Sequence, residues 1–201
     1  MKNKKKNVGI FIFDNVEVLD FTGPYEVFSS TRSTNKSLVP ITDLACPFNV
    51  FTFSERKKTI VASGGLCFKS KFTIKECPPL DILIIPGGIG TRALLKNAKF
   101  LIWLNSYRNT DIVASICTGA LLLAKAGMLH NKKATTHWGA LKLLKEISPS
   151  TTVLKNTNYV FDTYYTSAGV STGINMSLHI VEKIMGKKIA QNTAKYIDYP
   201  Y

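Results

Sequence analysis

Short uninterrupted apolar runs alternate along this chain with longer stretches in which apolar and polar residues mix. The runs Val8–Phe13, Ile82–Ile85 and Ile112–Ala114 carry no polar alternation, the mark of strands covered on both faces. Phe48–Phe53 reads as a further strand, and Thr59–Lys69, with turn residues at its centre and apolar flanks, as a small hairpin. Tyr159–Ser167 is rich in Tyr, Phe and Thr and reads as a strand or hairpin arm. Between these lie helical patterns. One starts near Gly23, because Pro24 suits a first helical turn, which leaves Asp20 on the loop before it. Others cover about 92–107, 120–127, 139–147, 176–185 and 188–196. Residues 29–46 are polar and aperiodic and read as a loop. Strands alternating with helices predict an α/β fold with a mostly parallel sheet covered on both faces.

Composition narrows this picture. A chain of 201 residues with 45% hydrophobic content holds one full core and not two. Residues 1–7 form a basic tail and 8–201 a single domain. No apolar run reaches the ~20 residues of a membrane span, so no membrane association is expected. The basic start followed by Val8–Phe13 imitates a signal peptide only faintly: Asp14 ends the run and no small-residue cleavage site follows. Four cysteines without Cys-x-x-Cys spacing suggest neither a zinc site nor a dithiol, and a reducing cytoplasm is the simplest setting. The net charge of +13 is scattered, without a helix-turn-helix, a zinc finger or an aromatic-rich basic strand, and reads as a solvated surface rather than a nucleic-acid footprint.

Candidate chemistry collects where strands end, the place at which such sheets bind ligands. Cys117 falls between the strand ending near Ala114 and the helix beginning near Ala120, the arrangement of a nucleophile elbow. A sulfur there is expected to be open to solvent, with a helix N-terminus favouring its thiolate. Gly87 and Gly88 follow a strand, let backbone approach closely, and with Thr118 would offer N–H groups to developing negative charge. Asp20 would donate or accept a proton, and a thiolate beside it would raise its pKa. Each residue also has a plain structural reading: a core cysteine, a common turn, a capping aspartate. His137 either lines the pocket or packs structurally. No His, Cys, Asp and Glu set has metal-ligand spacing, so no metal is expected.

The stretches Leu19–Phe28, Ile84–Gly88, Ser115–Ala120 and Ala134–Trp138, in that order, resemble the ThiJ/PfpI (DJ-one) superfamily over about 8–199. Asp20 with Thr22–Pro24, Cys117–Gly119 and Thr135–Trp138 look most like its isonitrile hydratase branch, a signature also found in amino-terminal domains of AraC-type regulators. The resemblance implies a flavodoxin-like three-layer sandwich of the class I glutamine amidotransferase-like kind. It further implies a homodimer, no cofactor and a small-molecule substrate. It makes Cys117 the nucleophile, Asp20 its partner carboxyl and Thr118 a hydrogen-bonding residue in hydration of an isonitrile to an N-substituted formamide. The place of an amidotransferase His and Glu pair holds Ser167–Gly173 here, so glutamine hydrolysis is not expected. The alternatives are a cysteine-based oxidative or carbonyl stress protein, redox sensor or glyoxalase-like, and a ligand-binding module without turnover. Unlike AraC-type regulators, a chain that stops at Tyr201 is expected to carry no DNA-reading domain.

Overall fold

The computed structural model describes residues 4–33, 46–56 and 58–201. Strands β1 (Lys6–Phe11), β2 (Phe48–Ser54), β5 (Phe72–Thr73), β6 (Ile82–Ile85), β7 (Ile112–Ile116), β10 (Tyr159–Asp162) and β11 (Tyr164–Ser167) form one sheet in the order β10-β11-β7-β6-β1-β2-β5. Every neighbouring pair is parallel except β10 with β11. The continuous apolar runs become its centre: Val8, Ile10, Phe11 and Ile82–Ile85 are all buried. A hairpin of β3 (Thr59–Val61) and β4 (Cys67–Lys69) stands apart, as does the short pair β8 (Lys133–Ala134) and β9 (Thr152–Val153).

Helices α1 (Val18–Ser30), α6 (Thr172–Met185) and α7 (Lys187–Tyr196) pack together, and α2 (Thr91–Leu94), α3 (Ala98–Ser106), α4 (Gly119–Lys125) and α5 (Leu141–Ile147) form a second group. The result is the expected three-layer α/β sandwich. The order of strand addition reverses at β1, with β2 on one side of it and β6, β7 and β11 on the other, although β1 and β6 run parallel. Such a switch point opens a crevice at the carboxyl ends of the strands. Here the loops after β1 and β6 meet across it, with Glu17 N–H donating to Gly87 O at 3.0 Å and Gly90 N–H to Asn15 O at 3.1 Å. The β3–β4 hairpin docks on the same loop, through Asn15 N–H to Val61 O and Ser63 N–H to Val16 O.

Several boundaries differ from the sequence reading. Strand β1 begins at Lys6, inside the segment read as a tail, because Lys6 and Asn7 already pair with Phe48 and Asn49. Helix α1 begins at Val18, not near Gly23, so Asp20 lies in its first turn rather than on the preceding loop. Pro24 is then internal. It deprives the Asp20 carbonyl of its helical donor, a cost accepted where the first turn is held by tertiary contacts. Ser29 and Ser30 finish this helix, while most of the segment read as a loop, 34–45, lies outside the described residues. The helix expected over 92–107 is two helices. Asn97 breaks it by accepting the Phe100 N–H at 3.0 Å as the N-cap of α3. The two-residue strands β5 and β9 are too short to show in the hydrophobic pattern.

The Asn97→Ala variant should lose about 1 kcal/mol of stability in denaturant unfolding, the usual loss for an N-cap side chain. Unchanged stability would mean that the α2–α3 break does not depend on the cap.

Candidate active site

Cys117 follows the last residue of β7 and precedes α4 with a φ of +53°, a left-handed conformation uncommon for a residue with a side chain. This strained strand-to-helix turn has the geometry of a nucleophile elbow. Two neighbours hold it: Cys117 N–H donates to Ser167 O at 3.1 Å, and the Thr136 hydroxyl donates to Cys117 O at 2.7 Å. The bend leaves Gly119 against the carbonyl of Ile85, where any Cβ would collide.

Asp20 reaches the same place from α1. Its Oδ2 accepts the Gly87 N–H at 2.8 Å, and its side chain is fully buried. Oδ1 has no partner of ordinary hydrogen-bond geometry, yet the Cys117 side chain lies close enough to act on the carboxyl. Gly87 makes this approach possible. A Cβ there would stand 2.6 Å from Thr118 N, 2.7 Å from Thr118 Oγ1 and 2.9 Å from Asp20 Oδ2. Gly88 adopts φ +118°, open only to glycine, and its N–H donates to Thr118 Oγ1 at 3.0 Å.

Three expectations change. The sulfur does not stand in the open: Cys117 is 7% exposed, enclosed by the Asp20, Gly87 and Thr118 elements. Nor does the site favour a thiolate. Burial, and secondarily the neighbouring Asp20, push the Cys117 thiol up to about 12, although the Thr118 N–H and hydroxyl act in the opposite sense. The helix N-terminus behind it belongs to a helix of only seven residues and does not outweigh burial. Finally, the N–H groups of Gly87 and Gly88 are not free for an oxyanion. One binds Asp20 and the other Thr118.

The pKa of Asp20 is raised as anticipated, to about 7, but burial is the main cause; Glu17 adds to it, while the Gly87 hydrogen bond and Cys117 oppose it. Below about pH 7 carboxyl and thiol are thus both largely protonated. His137 is half-buried and stands apart. Its Nδ1 accepts the Gly139 N–H at 3.3 Å, its ring lies against Trp138, and nothing links it to Cys117 or Asp20. Two contributors escaped the sequence reading. Glu17 lends its charge to both Asp20 and Cys117. Thr91, fully buried, donates to Gly88 O at 2.8 Å and approaches the Thr118 hydroxyl at 3.4 Å, fixing the loop. Only a threonine at a helix start, a common capping residue, pointed to the second. Among the described residues no group of three or more His, Cys, Asp or Glu is placed to hold a metal ion. No helix among them is long and apolar enough to cross a membrane.

The raised carboxyl pKa has a thermodynamic consequence. Between pH 4 and about 7 the unfolded chain ionises Asp20 while the folded chain keeps it neutral, so the folded state binds the extra proton and stability falls as pH rises. Asp20→Asn removes this loss. The variant should match wild type near pH 3.5 and gain on it up to about pH 7, by ~4 kcal/mol at most. Unfolding midpoints that move in parallel across that range would contradict the assignment.

The geometry has counterparts among known proteins. The DJ-1/PfpI family profile matches residues 6–183. An isonitrile hydratase of Pseudomonas putida is 31% identical over 96% of this chain and 78% of its own length. The HTH-type transcriptional regulator GbdR of Pseudomonas aeruginosa is 23% identical over 96% of this chain but only 51% of the regulator. A ThiJ/PfpI family protein from Pseudomonas syringae superposes with a TM-score of 0.85 at 22% identity, covering 100% of this chain and 77% of that one. Drosophila melanogaster DJ-1beta follows at 0.82 and 19%, covering 98% and 100%. At those identities the likeness to solved structures is one of fold, while the profile match extends over most of the chain. With its elbow cysteine and partner carboxyl on this sandwich, the chain belongs to the DJ-1/PfpI family.

Proposed function

We propose that this protein is a cofactor-free, cysteine-dependent enzyme that hydrates an isonitrile to an N-substituted formamide, a carbon–oxygen lyase reaction. The observation that carries the reading is the buried Asp20 carboxyl, held by Gly87 against Cys117 and protonated up to about pH 7. An isonitrile carbon needs both a proton and a nucleophile, and this pair supplies both. Asp20, in its acid form, gives its proton to the terminal carbon. Cys117 Sγ bonds to that carbon as the thiol proton passes to the Asp20 carboxylate, leaving a thioimidate R–N=CH–S. Water then attacks the carbon, a proton goes to nitrogen, and the C–S bond breaks. The sulfur is reprotonated, and R–NH–CHO leaves. No thiolate need exist beforehand, which suits a thiol held neutral by burial. Thr118 presents its N–H and hydroxyl to the sulfur and stabilises charge there as bonds form and break. The 31% identity to an isonitrile hydratase supports the substrate class.

The sensor alternative draws less support, because peroxide oxidises thiolates and this thiol resists ionisation. We place the enzyme in the cytoplasm as a homodimer. Leu19 and Tyr25 on α1 and Val61 and Leu66 on the hairpin are left exposed in a manner that suits a partner copy.

Purified protein should convert an alkyl isocyanide to its formamide, followed by loss of isocyanide and growth of product. Cys117→Ala and Asp20→Asn should each lower kcat by a factor of 100 or more, and Thr118→Val by ~10, the loss of one charge-assisted hydrogen bond. Turnover should fall as pH rises through about 7, where Asp20 loses its proton. A folded wild type that consumes no isocyanide refutes the reading. So does a Cys117→Ala variant of full activity.

A further inference from the structure

Trp138 directly follows the half-buried His137, yet is 80% exposed, an unusual state for the largest apolar side chain. It borders a cavity of about 220 Å³ whose other walls include Thr136, Lys155, Asn156, Asn158 and Ala168. This cavity adjoins the elbow through its framework. Thr136 is the residue whose hydroxyl holds Cys117 O, and Ala168 follows Ser167, whose carbonyl holds Cys117 N–H. The far wall is tied down as well: Ala168 N–H donates to Asn158 O at 2.9 Å and the Thr135 hydroxyl to Leu154 O at 2.9 Å. The His137 ring lies 5.1 Å from the indole and is itself anchored by the Gly139 N–H. An indole, a lysine and two asparagines therefore line one cavity, which shares Thr136 with the framework that holds the Cys117 peptide. Lys155 is exposed and forms no ion pair among the described residues.

We propose that this cavity is the subsite for the substrate's N-substituent and selects a planar ring that carries an acidic group. The ring stacks on Trp138, and the acid pairs with Lys155 and accepts from the Asn156 and Asn158 amides. The volume lies below the ~300–1,000 Å³ of sites for drug-sized ligands, which suits a single ring. A net charge of +13 draws anions toward such a site. The assignment of the substituent rests on the hydratase reading of Cys117; the binding chemistry does not.

The test uses an unreactive product-type probe, 4-formamidobenzoate, beside formanilide, which lacks the acid. Affinities come from calorimetry, and Trp138 fluorescence reports the contact, with Trp103, packed among Phe11, Phe53 and Phe100, as the constant background. The wild type should bind 4-formamidobenzoate with quenching. Trp138→Ala should weaken both probes tenfold or more, and Trp138→Phe should restore formanilide to within about threefold. Lys155→Met should weaken 4-formamidobenzoate about tenfold and leave formanilide unchanged. Undetectable binding to wild type overturns the proposal, as does equal affinity in Trp138→Ala or indifference to Lys155→Met. Turnover separates the two readings. If no isocyanide is hydrated but the probe still depends on Trp138 and Lys155, the hydratase reading fails and the subsite stands. If isocyanides are hydrated and Trp138→Ala leaves KM for 4-isocyanobenzoate unchanged, the subsite fails and the hydratase stands.

Discussion

A carboxyl buried beside a thiol cannot ionise freely, and the Gly87 N–H that holds Asp20 Oδ2 determines where that unionised acid sits. Removed from water, Asp20 keeps its proton to about pH 7, while the sulfur, facing both burial and a potential second negative charge, keeps its own to about pH 12. Two like-signed groups sharing one dry site separate their titrations in this way. The proposed chemistry rests on this: in it the pair delivers and recovers protons in one place without requiring a standing anion.

The surrounding architecture serves that contact. The switch point between β1 and β6 brings the first turn of α1 over the loop after β6, and β7 delivers Cys117 to the same crevice. Close approach then requires positions without side chains. Gly87 stands where any Cβ would press on Thr118 and Asp20, and Gly119 where one would strike Ile85. Thr91 and Thr118 complete the arrangement with hydroxyls on the Gly88 peptide. The strain of a left-handed Cys117 persists because β11 and Thr136 hold its peptide groups from either side.

Much of this was legible in the chain itself. Unbroken apolar runs locate β1, β6 and β7, and the rule that ligands gather at strand ends puts Asp20, Gly87 and Cys117 together. What stayed hidden depends on tertiary surroundings. Pro24 pointed to a helix start near Gly23, yet α1 begins at Val18, since Pro24 is tolerated where packing holds the turn. Asn97 resembled any helical polar residue until its side chain was seen capping α3. The elevated thiol pKa arises from burial by segments far apart in the chain, whereas local sequence shows only the opposing helix N-terminus. The Glu17 side chain acts on Asp20 through its charge at a distance and leaves no motif.

The protonation state of Asp20 near neutrality is the point on which the chemistry turns. Infrared difference spectra of wild type minus Asp20→Asn, recorded from pH 5 to 9, isolate the carboxyl carbonyl stretch of this one residue. The account predicts a protonated-acid band at pH 6 that disappears as pH rises through about 7. A carboxylate band already complete at pH 5 would contradict it.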